Sequence, residues 1–131
     1  MVTGDGRTAL IVEDEPSVLD LIVTLLTQTG WRVEVATGGR KGLERVRSQR
    51  YDLIVSDIRM PEGGGEDFYR DAVALDAALT NRFIFITGDT ANREAYSLLA
   101  EAGVPIIEKP FAPTLLLDAI RRVATSLTPS S

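Results

Sequence analysis

Short apolar runs alternate along the chain with longer stretches whose apolar residues recur at helical spacing. Thr8–Val12 is an unbroken apolar run ending at acids, the pattern of a strand buried on both faces. A helix is predicted from Glu15 to about Thr29, with Asp14 or Glu15 as its cap, Pro16 in its first turn and Gly30 stopping it. Arg32–Ala36 alternates polar and apolar, as an edge strand with one wet side would. Gly38-Gly39 opens a helix through about Ser48, and Asp52–Ser56 reads as a third strand. Glu66–Leu79 is a predicted helix, Phe83–Thr87 a strand and Ala91–Ala102 a helix. Val104–Glu108 and Pro113–Ser126 complete a fifth strand–helix unit. Residues 1–7 and 127–131 are polar, glycine- or serine-bearing ends expected to be flexible tails around one domain of residues 8–126.

Five strand–helix units in one short chain predict an α/β fold, a parallel sheet covered by helices on both faces. Its 131 residues fit a single domain. With 14 Lys+Arg against 19 Asp+Glu the net charge is −5, which argues against a nucleic-acid partner. No apolar run is long enough to span a membrane and no leader is recognisable, so a cytoplasmic location is expected. The absence of Cys removes disulfides and thiolate metal sites. The absence of His removes a His–carboxylate triad, an HExxH zinc site and any phosphohistidine within this chain. Carboxylates, hydroxyls and a lysine remain to carry chemistry, with a hard metal to assist them.

Ligands of such sheets bind beyond the carboxyl ends of the strands. There the sequence places Glu13-Asp14-Glu15, then Asp57, then Thr87-Gly88-Asp89, then Lys109-Pro110. Each has a plain explanation alone: helix-dipole complement, turn former, β-branched filler, solvated lysine. Together on one sheet edge they are a site. Carboxylates about 4 Å apart repel by roughly 4 kcal/mol per pair at an effective dielectric near 20. A divalent cation relieves that crowding, and an all-oxygen set suits Mg²⁺. With Glu13, Asp14 and Asp57 offset by Lys109 and Mg²⁺, the site becomes neutral and can accept a dianionic phosphoryl group.

Those segments, Leu10-Ile11-Val12-Glu13-Asp14-Glu15-Pro16, Asp57-Ile58-Arg59-Met60-Pro61 with Gly65, Ile86-Thr87-Gly88 and Lys109-Pro110-Phe111, resemble the receiver domain of two-component response regulators from Thr8 to about Ala124. The resemblance implies a flavodoxin-like sheet of order 2-1-3-4-5 and Asp57 as phosphoacceptor. It implies Mg²⁺ held by Asp14, Asp57 and the Arg59 backbone carbonyl, with Glu13 acting through metal-bound water. Thr87 and Lys109 would each meet a phosphoryl oxygen, and a cis Lys109–Pro110 bond would aim the lysine into the site. The partner implied is a histidine kinase or histidine phosphotransfer domain, and such a domain assists its own phosphorylation and dephosphorylation. A monomer is expected. The flavour of residues 85–89 and 103–110 is similar to receivers attached to hybrid histidine kinases.

A dehalogenase-like phosphatase would want a second Asp where Arg59 stands, and a nucleotide fold a glycine loop after the first strand. A degenerate receiver serving only as a binding module would lack a site residue, and none is missing. The family's strand-five aromatic is replaced by Ile106, so a smaller rearrangement is expected on that face. Arg59 and Asp89 would form an oppositely charged couple across the site mouth that hinders hydrolytic water. On the first helix Val18, Leu21, Ile22, Leu25 and Leu26 make the expected core stripe. Leu19 and Val23 fall off it and are expected to form an exposed strip that docks on a helical histidine-bearing domain.

Overall fold

The computed structural model describes residues 4–59, 64–88 and 93–127. Its elements are β1 (Thr8–Val12), α1 (Pro16–Gln28), β2 (Arg32–Ala36), α2 (Gly39–Ser48), β3 (Leu53–Asp57), α3 (Gly65–Leu75), β4 (Phe83–Thr87), α4 (Arg93–Glu101), β5 (Ile106–Glu108) and α5 (Pro113–Leu127), with a 3₁₀ turn at Ala77–Asn81. All strands are parallel in the order β2-β1-β3-β4-β5.

The unbroken apolar runs follow from burial on both faces. In β1, Ala9 and Ile11 join one core cluster with Ile22 and Leu26 of α1 and Leu116 and Ile120 of α5. Leu10 and Val12 point the other way, into a cluster with Val46 of α2, Phe68 of α3 and Leu99 of α4. β2 is an edge strand, as predicted, but its burial is graded rather than alternating: Arg32 is exposed, Val33, Glu34 and Val35 are half-buried, and Ala36 is buried.

Several boundaries shift for local reasons. The helix expected to reach Leu79 ends at Leu75, because the Asp76 side chain accepts the Ala78 N–H at 3.1 Å and caps the 3₁₀ turn instead. The third strand starts one residue late, since the Asp52 carboxylate accepts the Thr8 N–H at 3.0 Å, and it extends to Asp57, which pairs with Ile86. Strand five is shorter than expected, because the Val104 N–H closes α4 on Leu99 O. The predicted fourth-helix start at Ala91 lies outside the described residues. Residues 4–7 are not a loose tail. The Gly4 N–H donates to Thr29 O at 2.9 Å and the Gly6 N–H to Gly30 O at 3.2 Å. A Cβ on Gly4 would come within 2.4 Å of the Gly30 backbone, so only glycine fits. Leu127, also placed in a tail, ends α5 and packs on the first cluster.

Tyr51 is 1% exposed, and its hydroxyl donates to Glu34 Oε1 at 2.7 Å, the same oxygen that Arg45 reaches at 3.2 Å. Burial first, then the hydrogen bond and charge of Glu34, hold the hydroxyl pKa well above the usual 10.0. The folded protein keeps a proton that the unfolded chain releases near that pH. The contribution is therefore complete below pH 10.0 and is lost as pH rises beyond it. Tyr51→Phe is expected to cost about 1 kcal/mol in urea unfolding at neutral pH and to flatten the alkaline loss of stability. An unchanged alkaline slope would contradict this.

Candidate functional site

Four β→α connections meet at the carboxyl edge of the sheet. β1 delivers Glu13 and Asp14, β3 ends on Asp57, β4 ends on Thr87, and β5 leads into Lys109. The structure brings all five sequence-predicted residues to that edge. Glu13, Asp57 and Thr87 are buried, an arrangement that apolar strands enforce when their last residues are polar.

Lys109 is the hub. Its Nζ lies 3.0 Å from Asp57 Oδ2, 3.2 Å from Glu13 Oε1 and 3.5 Å from Glu15 Oε2. The stem finds room because residue 88 is glycine: a Cβ there would sit 3.3 Å from Lys109 Cδ. The Lys109 N–H donates to Thr87 O at 2.7 Å, tying the loop after β5 to β4, and the Lys109–Pro110 peptide is cis. Burial works against the ammonium, but the Asp57 hydrogen bond and charge, with Glu13, outweigh it and raise its pKa. Lys109 is thus a fixed cation.

Glu13 is held by its local chain, its Oε2 accepting the Glu15 N–H at 3.1 Å. Burial, reinforced by the Asp57 charge, raises its pKa against the opposing Glu15 N–H and Lys109. Its Oε1 has Lys109 Nζ at 3.2 Å but no aligned donor, so this buried oxygen has no hydrogen bond among the described residues. One oxygen each from Glu13, Asp14 and Asp57 lie within 4.8 Å of one another. A buried unbonded oxygen beside two further carboxylates fits a hard divalent cation. The Arg59 N–H donates to Asp57 Oδ1 at 3.1 Å, orienting that carboxylate.

Sequence reasoning missed Glu15 as a site residue. It was expected as a helix cap, yet its side chain makes no cap bond; it turns instead to Lys109. Its place beside Glu13-Asp14 was the available signal. Two expectations about α1 also change. Leu19 and Val23 do not form an exposed strip: they are half-buried against the first core cluster with Val18 and Leu25. The buried pair Ile22 and Leu26 sets the centre of the stripe, and at 100° per residue Leu19 and Val23 fall on its near flank. Leu21 falls on the far flank and lines the cleft of about 960 Å³ with Val18, Asp14, Asp57, Lys109 and Phe111. Arg59 also lines this cleft, while Asp89, its expected partner, lies outside the described residues. Ile106 is half-buried and packs on the second cluster.

A doubly covered parallel sheet with three carboxylates, a threonine and a lysine at the carboxyl ends of β1, β3, β4 and β5 defines a phosphoacceptor class of α/β protein. The profile of the response regulator receiver domain matches residues 9–121, and the chain belongs to that family. It is 30% identical to protein Rrf1 of Nitratidesulfovibrio vulgaris over 113 residues, 86% of this chain and 79% of that protein. Identity to the transcriptional regulatory protein CreB of Escherichia coli is 32% over 129 residues, 95% of this chain but only 55% of CreB. The chain thus spans about half the length of several curated relatives. Among solved structures, the receiver domain of sensor histidine kinase PA1611 from Pseudomonas aeruginosa PAO1, with magnesium coordinated in its active-site cleft, superposes with a TM-score of 0.80. That pair shares 26% identity over 92% of this chain and 98% of the other. The protein is a phosphoacceptor receiver domain of two-component signalling. No helix among the described residues is long and apolar enough to cross a membrane.

Proposed function

We propose that Asp57 accepts a phosphoryl group from a phosphohistidine on a histidine kinase or histidine phosphotransfer domain. The observation that carries this is Asp57 itself: buried at the end of β3, oriented by the Arg59 N–H and held 3.0 Å from Lys109. A donor is needed in trans because the chain contains no histidine. An Asp57 oxygen attacks phosphorus in line, the phosphorus–nitrogen bond breaks, and its electron pair leaves with the donor imidazole. Glu13, Asp14 and Asp57 would hold Mg²⁺, with the Arg59 carbonyl as a further oxygen; bound there, it would neutralise charge on the transferring phosphoryl oxygens. Lys109 meets one of those oxygens as it leaves Asp57 Oδ2, and the Thr87 hydroxyl, at the end of β4, meets another. In the unphosphorylated protein Glu15 also holds the Lys109 ammonium, at 3.5 Å.

The donor domain docks over the cleft. Leu21, beside Val18 and Phe111, offers the apolar contact there, whereas Leu19 and Val23 serve the core. One experiment covers both parts. Phosphoryl uptake from acetyl phosphate and from a phosphorylated donor domain is expected to require Mg²⁺ and to stop with a chelator. Leu21→Glu is expected to slow transfer from the donor domain by about tenfold or more and to leave acetyl phosphate labelling near wild type. Chelator-insensitive uptake would contradict the metal role, and equal rates from the donor domain would contradict the docking surface.

A further inference from the structure

Helices α2 and α3 lie side by side on one face of the sheet and carry opposite charge. Residues 40–50 hold five basic side chains against the single acid Glu44, in a chain whose net charge is −5. α3 and the residue after it hold Glu66, Asp67, Asp71 and Asp76 against Arg70. The α2 basic side chains are exposed, and Lys41 and Arg47 make no ion pair among the described residues. A charged helix face alone is ordinarily solvated; the relation between these two is what carries further.

Both helices return against parallel strands, so they run parallel to each other. Their heights match as well: Gly39, Arg40 and Leu43 line one groove with Gly64, Asp67, Phe68 and Asp71, and a Cβ on Gly42 would lie 3.1 Å from the Phe68 ring, so the first turn of α2 lies beside the first turn of α3. Each helix buries the same three positions, Gly39, Gly42 and Val46 in α2, and Gly65, Phe68 and Ala72 in α3. The positions opposite these on the two helical wheels are therefore also level. They are Lys41, Glu44 and Ser48 on α2, and Asp67, Arg70 and Ala74 on α3, all exposed. The two stripes are complementary position by position: cation to anion, anion to cation, small to small.

We propose that this face binds a second copy of the chain about a two-fold axis parallel to the two helices. Such an axis lays α2 of one copy along α3 of the other in the same direction, and repeats the contact in reverse. Lys41 then faces Asp67 of the second copy, Glu44 faces Arg70, and Ser48 meets Ala74, where neither side chain holds the backbones apart. Arg40 and Arg47, on the α3 side of α2, lie near the axis with Asp71. The phosphoacceptor edges of both copies point to the same end. Helices of ten and eleven residues give a short contact, so the dimer belongs to the weak, polar class and is sensitive to salt.

Two double variants test it, each conserving net charge: Lys41→Glu with Glu44→Arg, and Asp67→Lys with Arg70→Glu. Sedimentation at low ionic strength should show wild type self-associating and dissociating as salt is added. Each double variant alone should associate about tenfold more weakly or worse, because both pairs become like-charged. An equimolar mixture should recover association as a heterodimer, since each inverted stripe meets its inverted complement. Recovery also shows that both variants fold. Wild type that stays monomeric at low salt, double variants that associate as wild type does, or a mixture that fails to recover would each overturn the proposal.

Discussion

Lys109→Ala is expected to slow labelling of the protein by acetyl phosphate at saturating Mg²⁺ by about 10²–10³-fold. Lys109 is the only cation the structure places within 4.0 Å of Asp57 among the described residues, and its Nζ also touches Glu13 and Glu15. Without it, two buried carboxylates face each other and the incoming dianion loses the cation held against Asp57. Lys109→Arg should recover only part of the rate. A planar fork cannot fill the space of a compact ammonium at 3.0 Å from Asp57 and 3.2 Å from Glu13 at once. Near-wild-type labelling of the alanine variant would remove Lys109 from the chemistry.

The second large effect is expected from Gly65→Ala. A Cβ at this first residue of α3 would lie 2.8 Å from Asp57 O, 2.8 Å from Ile58 Cα and 2.9 Å from the Phe85 ring. The Gly65 N–H also donates to Ile58 O at 2.7 Å, so the loop after Asp57 closes tightly on the helix start. Two of the three obstacles are backbone and the third is a fully buried ring, so relief requires β3 and α3 to separate. The expected cost is about 1–3 kcal/mol of stability in urea unfolding, with labelling of Asp57 slowed by displacement of its strand end. Gly64→Ala makes the control, since a Cβ there meets only Ile58 O at 3.6 Å. Equal stability of the two variants would contradict the close-approach argument.

The strand runs and their polar ends were legible in the sequence because sheet chemistry is local. An apolar run must be buried, and whatever polar residue ends it emerges at the sheet edge; Glu13, Asp57, Thr87 and Lys109 were readable for that reason. What the sequence hid depends on competition between neighbours. Glu15 could cap α1 or reach Lys109, and only the position of the lysine decides. Leu19, Leu21 and Val23 are all apolar, so the stripe could be centred on either flank until Ile22 and Leu26 were seen to set it. Asp76 ended α3 early through a side-chain bond that helical periodicity does not register. The matching stripes of α2 and α3 require relative helix height, which the groove shared by their first turns shows and spacing alone does not.

The central claim is that Asp57 is the phosphoacceptor. Its most direct test is mass spectrometry of intact protein and of its proteolytic peptides after incubation with acetyl phosphate and Mg²⁺, for wild type and Asp57→Asn. The variant amide keeps the size of the side chain but cannot form an acyl phosphate by the same attack. Wild type is expected to gain one phosphoryl group, lost on treatment with hydroxylamine and mapped to the peptide that contains Asp57; Asp57→Asn is expected to gain none. A phosphoryl group on the Asn variant at the wild-type rate, or one mapped to any other residue of the wild type, would contradict the account.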